Sequence, residues 1–537
     1  MLMLNFVWND SWIANTKAEI SPVNNSQLLQ NLSEELPADK LDGEAAQHVQ
    51  YYIVSRTAND VFKTASQTLR LTKKPYLSIT SLDMLPERIP SELVGIIICE
   101  GNYDNIGSME KLFQYSSAGK DVVFAAMPDT SSANFKKYYE RLGIERFGSM
   151  YEHEGVDFLE SLIVSGMYIN ADVNVKCNEI KLNGKSRFYA VGHDKDESVK
   201  YHDRNPLIWR TFYDNGMIFV INGDFLSDFS FTGILTGILG MNKDVYYYPV
   251  INAGLFSIDA LPYYGDENSE NVLKAYNRDI VQFQRDIMWS DLMSIVKRLN
   301  VKMTFFPYIG NGQDAIESKL ISYFGKEIIV NGCEWGYYPS RYIDKFFPEY
   351  KMQTELHHGT ADSTSRMSFN KQDFGYYNNS SVSLPIISNG YDLTRGEVYK
   401  AFSVASGLGY ISHYVDMKEI LQNPEPSDKW TQFKLDFVNS VYPITKTYEH
   451  FSFSTATDVA KKVSVYLNCD PDVRVGVDNI TVHPQTVGTV SYIVRTNRII
   501  TWTEGCEFKP LYGSYYLVTV TDTAGILHTR DRDGDPK

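Results

Sequence analysis

The segment Tyr-Tyr-Tyr-Pro-Val-Ile-Asn-Ala-Gly-Leu-Phe-Ser-Ile-Asp, residues 246–259, decides the fold predicted for the chain. It is apolar almost throughout and ends on Asp259, as expected of a strand covered on both faces in a parallel sheet. A helix with apolar residues at helical spacing up to Leu299, and a second strand over 301–306, complete a βαβ unit. Such folds place their chemistry in the loops after the strands, so functional residues are expected just after Asp259 and Phe306.

Composition narrows the class of protein. The chain has 537 residues, more than one hydrophobic core accommodates, so several domains are expected. Its net charge of −15 argues against a nucleic-acid ligand, which needs a basic surface. The 37 Tyr, 28 Phe and 7 Trp suit either surfaces that stack on sugar rings or abundant β-structure. Five widely spaced cysteines without a CxxC motif argue against a disulfide framework and a cysteine-rich zinc site.

Changes of pattern divide the chain into a leader and three domains, and the predicted fold class is α/β. Residues 1–48 form a polar leader. Residues 49–245 alternate short strands with helices, which is typical of a Rossmann- or flavodoxin-like (amidotransferase-like) domain. Residues 246–455 continue as an incomplete (β/α) barrel. From Val463 the hydrophobic period changes to two, so residues 456–537 are predicted to form an all-β, sandwich-like domain.

Three local elements follow from shorter patterns. Residues 206–222 are predicted to form a β-hairpin that turns at Asp214-Asn-Gly216. The segment Glu-Ile-Ile-Val, residues 327–330, is interpreted as a strand that runs into Asn331. Residues 463–467 are predicted to be the first strand of the all-β domain.

Cys99 follows a predicted strand in Ile-Ile-Ile-Cys-Glu-Gly and raises the question of a nucleophile. A nucleophile on a strand-to-helix elbow requires glycines on both sides, and only Gly101 is present. We therefore expect Cys99 to be a buried structural cysteine.

Four segments carry a resemblance to a known family. They are Phe-Ser-Ile-Asp-Ala (256–260), Val-Lys-Met-Thr-Phe-Phe (301–306), Asn-Gly-Cys-Glu-Trp (331–335) and Ile-Ser-His-Tyr-Val (411–415). On these segments, residues 246–455 resemble the NodB-type polysaccharide deacetylases. Within that superfamily they look most similar to the deacetylase-like domain of PelA-like exopolysaccharide biosynthesis proteins, where a Rossmann-like domain precedes the barrel. The resemblance therefore implies a deacetylase-like barrel.

The resemblance also implies roles for individual residues. Asp259 takes the position of the general base, and His413 that of the acid which protonates the leaving amine. The family's three metal ligands fall on Ala260, Asn331 and Trp335. Alanine and tryptophan cannot ligate a metal and a neutral amide is a poor zinc ligand. No metal cofactor is therefore expected, and the site is interpreted as degenerate.

Other residues offer alternatives to that interpretation. Glu334, His357 or His358 could build a displaced metal site with Asp259, or Asp259, Glu334 and His413 could work without a metal. Purely structural roles are open as well, with Asp259 as a helix cap or ion-pair partner and His413 as a core histidine. The residues expected to contact a saccharide are Trp335, Asn331, His357, His358, Arg366 and Tyr391.

The function expected from the resemblance is exopolysaccharide biosynthesis or modification. The chain would bind an amino-sugar polymer or hold membrane-bound polysaccharide synthesis proteins together. The alternatives are an active carbohydrate deacetylase or glycosidase with a rearranged site, and a protein-interaction module without a sugar ligand. No stretch approaches the roughly 18 apolar residues of a membrane span. The resemblance implies an extracytoplasmic or cell-surface location, as a soluble ectodomain, and a cytoplasmic location stays open.

Overall fold

A computed structural model describes residues 49–159, 162–164, 169–196, 198–265, 268–309, 318–337, 353–356, 363–378, 381–423 and 425–531. Within these residues the chain forms two compact units, each built from several segments. The sheet unit comprises described residues of 49–251, 394–410 and 469–531. The barrel unit comprises described residues of 252–393 and 411–468.

The first part of the sheet unit alternates strands and helices. Its strands are β1 Tyr51–Val54, β2 Tyr76–Ile79, β3 Gly95–Ile98, β4 Asp121–Phe124, β5 Ile144–Phe158, β6 Ile169–Leu182, β7 Arg187–Gly192, β8 Pro206–Tyr213, β9 Gly216–Ile221 and β10 Val245–Val250. Its helices are α1 Asp60–Leu71, α2 Met109–Ser117, α3 Ala133–Tyr138 and α4 Thr232–Gly240.

Nine of these strands form one sheet in the order β2-β1-β3-β4-β9-β8-β7-β5-β6. The pairs from β2 to β9 are parallel, and the buried apolar sequences of β1 and β3 are typical of strands covered on both faces. The remaining pairs are antiparallel. The predicted hairpin is confirmed as β8 and β9, with Asp214 in a left-handed conformation (φ +51°) in its turn.

Cys99 lies directly after β3 and is 1% exposed. Its backbone carbonyl accepts a hydrogen bond from Asn59 Nδ2 at 3.0 Å. Burial raises the pKa of the thiol well above its usual value, which disfavours the nucleophilic thiolate. The prediction of a buried cysteine is confirmed.

The strands of the barrel unit are β11 Ala253–Tyr264, β12 Met303–Ile309, β13 Glu334–Trp335, β14 Thr354–Leu356, β15 Ser365–Ser368, β16 Gly375–Asn378, β17 Ser381–Pro385, β18 Ser388–Asn389, β19 Tyr410–Asp416 and β20 Ser452–Phe453. The helices from this part of the chain are α5 Ser269–Tyr276, α6 Ile280–Phe283, α7 Trp289–Leu299, α8 Ser318–Val330, α9 Arg395–Leu408, α10 Lys418–Leu421, α11 Pro426–Thr447 and α12 Ala456–Asn468. Helix α9 and Tyr410 belong to the sheet unit.

The prediction of one continuous strand over 246–259 is wrong. The chain turns at Ile251 and Asn252, and Asn252 adopts a left-handed conformation (φ +53°) that interrupts the extended backbone. The part before the turn is β10, which pairs antiparallel with a strand near the C-terminus. The part after it is β11, which pairs parallel with β12. The βαβ unit therefore begins at Ala253.

Two further predicted strands are helical. Residues 327–330 are the last turn of α8, in which Phe324 and Ile328 are buried one helical turn apart. Residues 463–467 lie in α12, where Val459, Val463 and Leu467 follow the same four-residue spacing. In both places β-branched residues suggested a strand, and packing of one helical face prevailed over that propensity.

Backbone pairing closes a ring of parallel strands in the barrel unit. One sheet has the order β13-β12-β11-β19-β18, and a second has the order β14-β15-β17-β16. A parallel bridge between Tyr337 and Glu355 joins β13 to β14. On the other side, Ile386 N donates to Ser368 O and Ile387 N donates to Ser412 O. The segment 381–389 therefore bonds to both β15 and β19 and completes the ring.

The remaining strands are β21 Asp472–Val475, β22 Asn479–His483, β23 Val490–Thr496, β24 Ile499–Glu504, β25 Cys506–Pro510, β26 Tyr515–Val520 and β27 Gly525–Arg530. They form two antiparallel sheets, β10-β23-β26-β25 and β21-β22-β27-β24. The chain is thus a mixed α/β protein with a β-rich C-terminal region. In the described part of the chain, no helix is both long and apolar enough to cross a membrane.

Candidate functional site

Alternate residues of the ring strands point into its interior, as strand geometry requires. Ser257 Oγ lies 3.9 Å from Met367 Sδ, and these residues belong to β11 and β15, which are not neighbours in the ring. Ser257 and, two residues later, Asp259 therefore face inward. Phe256 and Ile258, of opposite parity, pack into the apolar core beneath the helices. The interior of the ring is the part of the barrel unit that presents polar groups.

Asp259 is the central polar residue of that interior, and only 3% of it is exposed. Its Oδ2 accepts a hydrogen bond from the Tyr414 hydroxyl at 2.5 Å, and its Oδ1 accepts one from the Ala260 N–H at 2.6 Å. Ala260 adopts a left-handed backbone conformation (φ +53°) directly after this carboxylate. These two donors orient the carboxylate at the inner face of the ring.

Aromatic rings stand next to this carboxylate. The Tyr414 ring meets the edge of Phe369, which follows β15, at a centroid separation of 5.2 Å, and Phe369 is 48% exposed. Phe306 pairs with Asp259 in the strand register and is buried against Gly336. A Cβ at Gly336 would lie 2.3 Å from the Phe306 ring, so only glycine allows this contact. Phe369 is therefore the ring in this group that solvent or a ligand can reach.

Glu334 occupies a lower layer of the same interior. It pairs with Thr304, which pairs with Ser257, so it lies nearer the strand N-termini than Asp259. Its carboxylate accepts hydrogen bonds from Thr354 Oγ1 at 2.7 Å, Thr457 N at 2.8 Å and Thr457 Oγ1 at 2.7 Å. Burial raises its pKa. Glu334 anchors the N-terminus of α12 and is closed off from solvent.

The structure does not bring His413 to Asp259. Tyr414 uses the inner face of β19, so the preceding residue points outward. The His413 ring packs against Phe256 and Phe437 in the core, and its Nδ1 lies 3.0 Å from Ser388 Oγ. Its Nε2 has no hydrogen-bond partner among the described residues. Burial lowers its pKa to about 4.

The positions that correspond to the family's metal ligands do not fit a metal. Ala260 and Trp335 are fully buried in the apolar core cluster of the barrel unit. Asn331 lies in the turn after α8, where its Nδ2 donates to Glu327 O at 2.8 Å. Across the described ranges, no three His, Cys, Asp or Glu side chains lie close enough to hold a metal ion. His357 and His358 lie outside the described residues, so their predicted roles stay predictions.

The two remaining candidates point away from the ring interior. Arg366 alternates with the inward-facing Met367, and its guanidinium donates to Ser383 Oγ at 2.9 Å and to Asp373 Oδ2 at 3.0 Å. Tyr391 packs edge-on against Phe433 of α11 at 5.8 Å. Among the described residues, neither Arg366 nor Tyr391 has a contact with Asp259.

Sequence reasoning missed Tyr414 and Phe369. Tyr414 stands beside His413 in Ile-Ser-His-Tyr-Val, and the alternation of a strand allows only one of the two to face inward. The deciding signal was available: Ile411, His413 and Val415 share one face, and the two apolar members of that face indicate the core. Phe369 lies in a polar segment that carries no pattern.

The chain is similar to one family model and, in fold, to a solved structure. A family model described as an uncharacterised protein conserved in bacteria (DUF2194) matches residues 167–338, less than half of the chain. No curated protein matches the sequence. Among solved structures, Agd3, described as a novel carbohydrate deacetylase, is similar with a TM-score of 0.54 and 9% identity. The match covers 90% of this chain and 98% of Agd3.

Two further similarities are partial. A putative ThuA-like protein from Bacteroides uniformis has a TM-score of 0.27 and 14% identity, over 38% of this chain and 93% of that protein. A β-galactosidase from Bacillus circulans has a TM-score of 0.26 and 11% identity, over 38% of this chain and 34% of the enzyme. The fold of the chain is thus similar to that of Agd3 along most of its length, which makes it a deacetylase-like fold.

Proposed function

We propose that this chain is a polysaccharide-deacetylase-like protein whose barrel binds an amino-sugar polymer around Asp259. The observation that carries the proposal is the arrangement of one buried carboxylate on the inner face of a closed ring, oriented by Tyr414 and by the Ala260 N–H. The overall likeness to Agd3, described as a carbohydrate deacetylase, supports the class of ligand.

The chemistry of the site suits an acetamido sugar. The Asp259 carboxylate, oriented by Tyr414 and the Ala260 N–H, is an acceptor to which a sugar hydroxyl or an acetamide N–H could donate. Phe369 offers an exposed ring against Tyr414, the donor to this acceptor, and aromatic rings stack on the apolar faces of sugars. Aromatic side chains combined with a few placed polar groups are the usual make-up of a small-molecule site.

The wider role proposed is in exopolysaccharide biosynthesis or modification of the Pel type, outside the cytoplasm or at the cell surface. The chain would hold the polymer for the synthesis machinery. Its net charge of −15 supports a partner that carries free amino groups, because an acidic protein attracts a cationic polymer. The donor positions for the family's metal do not fit one, so no metal-dependent step is proposed for this site.

The test is direct binding of an N-acetylhexosamine oligosaccharide to the full chain, measured by titration calorimetry. We expect Asp259→Asn and Phe369→Ala each to weaken binding by about tenfold, the effect of losing one charge-assisted hydrogen bond or one stacked ring. Phe212→Ala is the matched control, because Phe212 is a phenylalanine of the sheet unit with comparable exposure, 57% against 48% for Phe369. Absence of binding, or equal weakening by the control, would refute the proposal.

An active deacetylase is the second candidate, because Asp259 stands on the inner face where the general base was expected. It is tested by elemental analysis of protein purified without chelator, together with acetate release from the same oligosaccharide. A stoichiometric metal and release that disappears in Asp259→Asn would establish catalysis with a rearranged site. Binding without release would leave the binding role as the function.

A further inference from the structure

The sheet unit contains a pocket of about 870 Å³ that belongs to none of the sites described above. This volume lies within the range of small-molecule binding sites. Its lining is Asp157, Asn170, Phe188, His193, Asp194, Val199, Lys200, Tyr201, His202, Arg204 and Arg395. Two aromatic rings, two carboxylates, two histidines and three strong cations thus surround one cavity.

The wall of this pocket is built around a buried carboxylate. Asp157 has a fully buried side chain and accepts hydrogen bonds from Arg204 Nη1 at 2.6 Å and Asn170 Nδ2 at 2.8 Å. His193 Nδ1 lies 3.1 Å from the same carboxylate. Arg204 also donates to Val199 O at 3.0 Å and stacks on Tyr201 at 4.6 Å. Side chains from four separate segments are therefore fixed by one ionic group.

The charges that remain after this pairing are predominantly positive. Asp157 and Arg204 compensate each other, which leaves Lys200 and Arg395 opposite the single carboxylate of Asp194. Asp194 Oδ1 already accepts the Asp196 N–H at 2.9 Å. Lys200 and Arg395 are exposed, and neither forms an ion pair within the described residues. In a chain with a net charge of −15, two cations at one pocket that form no ion pair with a described residue favour an anionic ligand.

We propose that this pocket binds a carboxylate-bearing sugar, such as a uronic acid unit of an acidic saccharide. Lys200 and Arg395 bind the carboxylate, with Arg395 offering the paired donors that fit it best. The hydroxyls meet Asn170 and His193, and the ring lies against Phe188. This site acts independently of the barrel, because its ligand is an anion whereas Asp259 accepts donors.

Titration calorimetry of the full chain with galacturonate and digalacturonate tests the proposal. We expect Lys200→Met and Arg395→Met to weaken binding by about tenfold each, since each removes one charge-assisted contact. Lys195→Met is the matched control: Lys195 lies in the same loop, outside the pocket lining, and pairs with Glu154. Thermal unfolding of each variant, compared with the wild type, checks that the fold is retained.

The selectivity of the wild-type protein provides a test that needs no variant. Glucose and inorganic phosphate are titrated under the same conditions as the uronates. Uronate binding that is at least tenfold tighter than that of glucose supports the site. Four results would overturn it: no uronate binding, equal binding of glucose, binding of phosphate alone, or uronate affinity unchanged in both cation variants.

Discussion

Two buried carboxylates share the interior of the barrel, and their surroundings differ. Glu334, in the lower layer, accepts three hydrogen bonds, two of them from Thr457 at the start of α12. Asp259, in the upper layer, accepts hydrogen bonds from Tyr414 and from the Ala260 N–H, and the exposed Phe369 ring packs against Tyr414. Glu334 ties Thr354 and the start of α12 together and so holds the fold, whereas Asp259 is oriented by Tyr414, whose ring contacts the exposed Phe369, and is the carboxylate proposed to serve a ligand. Burial alone does not distinguish the two.

The largest expected effect is at Glu334. Glu334→Ala leaves Thr354 Oγ1 and the N–H and hydroxyl of Thr457 without their acceptor. We expect a loss of about 4 kcal/mol in the free energy of unfolding, because each unsatisfied buried group is costly. Chemical denaturation measures the loss, and the exposed Glu507→Ala is the control. A loss below 1 kcal/mol would show that Glu334 is not an anchor.

The outward-facing His413 should make the free energy of unfolding depend on pH. Burial lowers its folded pKa to about 4 from 6.5, so between these values the unfolded chain binds more protons than the folded one. Stability is therefore lost as pH falls from 6.5 to 4, by about 3 kcal/mol in total. His413→Leu should lack this loss when unfolding is measured across the range. An identical pH profile for both proteins would contradict the assignment.

The hydroxyl of Tyr414 gives a smaller effect. Tyr414→Phe removes the donor to Asp259 Oδ2, and we expect a loss of about 2 kcal/mol in unfolding free energy, as for a hydrogen bond to a charged group. Oligosaccharide binding should also weaken, because the carboxylate is no longer oriented. Weakened binding with unchanged stability would show that this hydrogen bond only orients the carboxylate for the ligand. Lowered stability with unchanged binding would show that it only stabilises the fold.

The smallest expected effect on stability is at Phe369. Phe369→Ala removes an edge contact with Tyr414 from a half-exposed ring, and should cost about 1 kcal/mol. For each variant, the loss of oligosaccharide affinity can be divided by the loss of unfolding free energy. We expect this ratio to be larger for Phe369→Ala than for Tyr414→Phe. If affinity is unchanged while stability falls, Phe369 is a packing residue and not a sugar platform.

The sequence predicted the repeating βα architecture because unbroken apolar strands and amphipathic helices leave clear patterns, as in β1, β3 and α7. It failed at 327–330 and 463–467, where β-branched residues occupy helices that tertiary packing stabilises. The site was predicted to the level of strands, not side chains. Asp259 was predicted to end its strand, and the choice between His413 and Tyr414 depends on which parity of β19 faces inward.

The pairing of β10 with β23 bears on how the protein is made. Val245–Val250 finds its antiparallel neighbour only in Val490–Thr496, far along the chain. During synthesis, β10 leaves the ribosome long before β23 is made. Until then, the backbone N–H and C=O groups of β10 form hydrogen bonds with water or with another part of the chain. Formation of this sheet is therefore one of the last steps of biogenesis. Ribosome stalling before residue 490 should leave a nascent chain in which β10 is a preferred site for protease cleavage.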